Sequence, residues 1–118
     1  MNVVAFLPGS SPRGMVAAWP HVAGRTRGSL WELAAGTPAM APGSGWIYGI
    51  LVTLPDPRAL AVLDRTFGVL EGSAARKKVD VRVGLRSERA WAWWTENPRA
   101  RGGRVLADGH WRPVRRRG

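Results

Sequence analysis

Val3-Val4-Ala5-Phe6-Leu7-Pro8-Gly9-Ser10-Ser11-Pro12-Arg13-Gly14 is a short apolar run that stops in a loop of glycine, serine and proline. Five apolar residues bounded by turn formers predict a buried first strand over residues 3–7. The loop that follows offers backbone N–H groups and hydroxyls at the strand's end. Such groups suit a carboxylate or a phosphate. A small-molecule pocket is therefore expected here.

The chain has 118 residues and 45% hydrophobic content, enough for one compact domain with its own core. It contains no cysteine, which excludes disulfides, thiolate metal sites and cysteine nucleophiles. No apolar run approaches the roughly 20 residues that span a bilayer, and the start lacks the pattern of a signal peptide. The expectation is a soluble, cytoplasmic protein with no membrane association. Two distant histidines and scattered acids give no metal-ligand spacing, and no cofactor is expected.

The net charge of +10 is uneven. Residues 1–60 carry four arginines against two acids, and residues 61–118 carry fourteen basic residues against six acids. Sixteen of the 18 basic side chains are arginine. The planar guanidinium suits carboxylates and phosphates. A GC-rich genome, which raises arginine, alanine and glycine together, accounts for the bias equally well.

Further strands are expected at residues 24–33, with Gly28 as a bulge, at 46–54, at 76–83 and at 89–95, the last strand. Residues 34–45, rich in Gly, Pro and Ala, read as loop. Asp56-Pro57 opens a helix whose Leu60, Val62, Leu63 and Phe67 share a face, and Gly68 ends it. The order predicts an α+β fold: a small mixed, mostly antiparallel, barrel-like sheet with one main helix. Residues 1–98 form the domain and residues 99–118 a basic tail, partly packed or disordered. Trp91 and Trp93 fall on one face of their strand and Trp94 on the other; core packing explains them better than a base-stacking platform.

Five segments in this order resemble the gamma-glutamylcyclotransferase-like superfamily. The loop Pro8-Gly9-Ser10-Ser11 stands where that family has Tyr-Gly-Ser/Thr-Leu. Arg25-Thr26-Arg27-Gly28-Ser29-Leu30-Trp31-Glu32-Leu33 leads to Thr37-Pro38-Ala39. Ile47-Tyr48-Gly49-Ile50-Leu51 precedes Leu63-Asp64-Arg65-Thr66-Phe67-Gly68. Residues 76–83, Ala90-Trp91-Ala92-Trp93 and Gly109-His110-Trp111 complete the series. The resemblance implies a barrel enzyme in which amides of the first loop hold the glutamyl carboxylate. The α-amine then attacks the γ-amide carbon, a five-membered lactam closes, and an amine leaves. The family's acid/base is the glutamate of Leu-Asp-x-x-Glu-Gly, and Phe67 stands at that place here. A phenyl ring transfers no proton, so ordinary cyclotransferase activity is expected to be very low or absent.

The substrate-binding candidates are therefore Gly9, Ser10, Ser11 and Phe67, with Glu71, four residues past Phe67, the candidate to take over catalysis. Asp64 reads as a helix-end residue pointing elsewhere, and Glu32 as facing solvent. Two outcomes stay open: a divergent enzyme of specialised metabolism that promotes a cyclisation or an acyl or amine transfer, or a non-catalytic pseudoenzyme. A third reading is a basic module, with the arginine tail gripping nucleic acid or an acidic partner by charge alone. A Trp-rich strand also leaves room for a homodimer.

Overall fold

The computed structural model describes residues 3–9, 17–69, 72 and 74–111. Among these residues, six strands and one α-helix make an α+β barrel: β1 (Val4–Pro8), β2 (His21–Glu32), β3 (Pro38–Thr53), α1 (Arg58–Thr66), β4 (Ala74–Val83), β5 (Arg86–Thr95) and β6 (Arg104–Leu106). Antiparallel ladders join β1 to β3, β3 to β2, β2 to β4 and β4 to β5. A parallel bridge, Ala5 to Trp91, brings β5 back to β1 and closes the ring. Closure leaves few free edges, and β6 covers part of β2.

Alternation along the strands separates two cores. Phe6, Leu30, Met40, Ile47, Leu51, Val79, Val81, Ala90 and Ala92 fill the barrel. Ala5, Leu7, Ile50, Val52 and Trp93 point outward to meet Ala59 and Leu63 of α1. Thus one helix face roofs the β1, β3 and β5 side. Its start is set by Asp56, whose Oδ1 accepts the Arg58 N–H at 2.8 Å. Its end is a Schellman turn. The Gly68 N–H donates to Arg65 O and the Val69 N–H to Asp64 O, with Gly68 at φ 84.

Two expectations are corrected. Residues 38–45 are not loop, because β3 begins at Pro38 and runs for 16 residues. Their small side chains reflect crowding. Gly28 makes the expected bulge in β2, and a Cβ on Gly43 would lie 3.0 Å from Ser29 N and 3.1 Å from Gly28 C. Nor is β5 the last strand. Arg104 of β6 holds Glu32 through Nε at 2.8 Å and Nη2 at 2.6 Å. Residues 99–111, expected to open a tail, include part of a 3-10 turn (Pro98–Arg101) and β6, and they pack on the barrel; residues 112–118 lie outside the described residues.

The Gly109-His110-Trp111 segment fastens this closure. Tyr48 N–H donates to Gly109 O at 2.9 Å, and Gly109 sits at φ 71 with its Cα against Trp46 O. We expect Gly109→Ala to cost about 2 kcal/mol or more, the left-handed backbone and the clash with Trp46 O acting together. Gly84→Ala, at φ 60 with open space around it, should lose only the backbone term of about 1 kcal/mol. Urea denaturation of both variants checks this; equal losses would contradict it.

Candidate functional site

The C-terminal ends of β1 and β5 lie at one end of the barrel, because the two strands run parallel. Counting forward from Ala5 opposite Trp91 sets Gly9 level with Thr95. The loop predicted to hold a ligand therefore emerges at the end of the barrel where α1 finishes.

Gly9 is buried at φ 98, and its N–H donates to Tyr48 O at 3.2 Å. A Cβ here would lie 3.2 Å from Trp111 Cδ1. Glycine is thus required by the left-handed turn and by the indole pressed against it. The Gly9 N–H is already engaged by the barrel. Ser10, Ser11 and Glu71 lie outside the described residues.

Phe67 caps α1 and stacks on Trp93, with ring centroids 5.0 Å apart and planes 21° apart. Behind it Trp93 is 2% exposed, and its indole N–H donates to Asp64 Oδ1 at 2.9 Å. The other Asp64 oxygen pairs with Arg76 at 3.1 Å, and that guanidinium lies 4.7 Å from the centroid of the Trp91 ring. Asp64, expected to point elsewhere, ties α1 to β4 and β5. Nothing in the local sequence forecast this; the signal lies in the β4–β5 register, which puts Arg76 opposite Trp93.

Phe67 also lines a cavity of about 570 Å³ with Leu33, Thr37, Arg65, Thr95 and Arg101. No carboxylate is among its described lining residues, which carry two guanidiniums. A neighbouring cavity of about 450 Å³ is lined by Glu32, Arg104, His110 and Trp111. Glu32, expected to face solvent, is 13% exposed at its side chain, with Oε1 held by Arg104. His21 bonds Trp19 O at 2.9 Å, and His110 stacks on Tyr48, so the two histidines have separate partners. Among the described residues, no group of three or more His, Cys, Asp or Glu is placed to hold a metal ion. No helix among them is long and apolar enough to cross a membrane.

Residues 7–113 match the family model described as gamma-glutamyl cyclotransferase, AIG2-like. No curated protein sequence matches the chain. Among solved structures, YkqA from Bacillus subtilis superposes with a TM-score of 0.69 at 22% identity. That alignment covers 94% of this chain but 40% of the larger protein. A uropathogenic E. coli-specific protein gives 0.66 at 17% identity, covering 94% of this chain and 93% of its own. An AIG2-like protein from Mus musculus gives 0.61 at 20% identity, covering 80% and 78%. At these identities the likeness is one of fold.

Asp64→Ala should destabilise the protein by about 1–3 kcal/mol, since it leaves the buried Trp93 N–H without an acceptor. Asp64→Asn keeps an acceptor oxygen for the indole and should lose less, giving up only the partly buried Arg76 pair. Urea midpoints read the difference; identical losses would show that the indole bond does not carry the tie.

Proposed function

Because the chain belongs to the gamma-glutamyl cyclotransferase, AIG2-like family, we propose that it keeps a small-molecule pocket at the Gly9–Ser10–Ser11 loop and performs altered chemistry there. Its ligand carries a carboxylate or carbonyl group. The observation that supports this best is the cavity beside Phe67, which has an aromatic wall, two arginines and no carboxylate among its described lining residues. Guanidiniums favour an anionic ligand, and the phenyl ring favours an apolar portion where the family has its charged acid/base.

The family reaction needs a base to free the attacking amine and an acid to protonate the leaving nitrogen. Phe67 supplies neither. Asp64 has both oxygens engaged, by Trp93 and Arg76. Proton handling then falls to Glu71, beyond the end of α1, or to a group on the substrate itself. Positioning alone still promotes a cyclisation, or an acyl or amine transfer, on a suitably reactive chain. A role in specialised metabolism in a reducing cytoplasm fits the cysteine-free composition. The cavity lined by Phe67 supports a working pocket over a plugged pseudoenzyme; Gly9 is not among its described lining residues.

Wild-type protein should show no turnover of γ-glutamyl amines or dipeptides above background, while a carboxylate-bearing lactam product should bind. Phe67→Glu should raise turnover by about 10²–10⁴-fold over wild type, the usual share of general acid/base catalysis. Chromatographic detection of the released amine tests both. Wild-type turnover at the rates of glutamate-bearing family members would refute the proposal.

A further inference from the structure

The exterior of β2, β3 and β4, away from α1, carries a second arrangement with its own chemistry. Thr26, Ile47 and Val81 point into the barrel, so Arg25, Tyr48 and Arg82 beside them point out. The ladders set Arg25 directly opposite Tyr48 on one side and Arg82 on the other. The three side chains therefore form one row across three strands, spaced by about 4.8 Å per strand. Two residues along, Arg27 stands opposite Trp46, and Arg25 and Arg27 place their guanidiniums 4.4 and 3.9 Å from the centroid of that ring.

Like charges directly opposite on neighbouring strands repel. Several exterior arginines are compensated, among them Arg76 by Asp64, Arg86 by Glu88, Arg89 by Asp80 and Arg104 by Glu32; Arg27, beside this row, has no carboxylate partner among the described residues. Among the described residues, Arg25 and Arg82 have no carboxylate partner. They line a concavity of about 370 Å³ with Ala23, Gly24, Tyr48 and Gly84. Gly84, with open space where a Cβ would stand, leaves the concavity's rim uncovered. One face of the Tyr48 ring is held by His110, which stacks on it with centroids 4.2 Å apart and planes 1° apart. A planar aromatic floor thus sits beside two uncompensated guanidiniums.

We propose that this face binds a nucleoside phosphate, its phosphate between Arg25 and Arg82 and its base against Tyr48. Bidentate guanidinium–phosphate bonds and stacking on an aromatic ring are the two interactions by which proteins hold nucleotides without reading sequence. Simple phosphate would leave the ring unused, and an uncharged nucleoside would leave the arginines unneutralised. The same unit occurs as a free nucleotide or within a single strand, so the test separates these sources. The proposal is independent of the Phe67 cavity and stands or falls without it.

Isothermal titration of the full chain should show AMP binding at least about tenfold tighter than either adenosine or inorganic phosphate, the minimum expected from one charge-assisted contact. Arg82→Ala and Arg82→Glu, at an exposed position, should each weaken AMP by about tenfold or more with an unchanged circular dichroism spectrum. Combined alanine replacement of Arg115, Arg116 and Arg117 should leave AMP affinity unchanged. Displacement of AMP by a short single-stranded oligonucleotide identifies a strand as the source; failure to displace it identifies the free nucleotide. The proposal is overturned if AMP does not bind, binds no better than phosphate, is indifferent to both Arg82 variants, or is lost with the three tail arginines.

Discussion

The hydrogen bond from the buried Trp93 indole to Asp64 is the constraint on which the pocket depends. It locks the last turn of α1 onto β5 and holds the indole flat behind Phe67. The Schellman turn at Gly68 then fixes where the Phe67 ring leaves the helix. An acid at that position would stand over the same indole. On the proposed reading, Phe67 puts hydrocarbon where the family places its proton-transferring group.

The turn at Gly9 is built by a different device. Backbone bonds run from Gly9 to Tyr48 and from Tyr48 to Gly109, so the chain's early loop and its late segment are fastened to the same strand. Trp111 packs against the inner core and against Gly9. Gly9 thus stands on a rigid base, as positioning of a small ligand requires. Tyr48 joins the two surfaces of interest: its backbone supports the loop, and its ring forms the floor of the basic concavity on the barrel's flank.

Much of this was legible in local pattern. The apolar run before Pro8, the polar–apolar alternation of β4 and the Asp56-Pro57 start of α1 each follow from short-range rules. Gly28 identified its own bulge. Residues 38–45 misled because glycine, proline and alanine usually mark loops, whereas here they let β3 pass close to the bulge in β2. β6 is three residues long and owes its existence to Arg104 reaching Glu32, a pairing across 72 positions that no local window contains. The same limit hid the Asp64 clasp and the row of Tyr48, Arg25 and Arg82. Each is a product of strand register, which joins residues far apart in the chain. The place of Phe67 at the helix end, by contrast, was visible from Gly68, which closes the helix as expected.

The central claim is that Phe67 forms the wall facing a ligand held by the loop at residues 9–11. Its most direct test is nuclear Overhauser spectroscopy of the protein saturated with a five-membered lactam acid. The account predicts cross-peaks between ligand protons and the Phe67 ring, together with shifts of the amides at Ser10 and Ser11. A bound ligand that shows neither, and whose contacts lie elsewhere on the barrel, would contradict it.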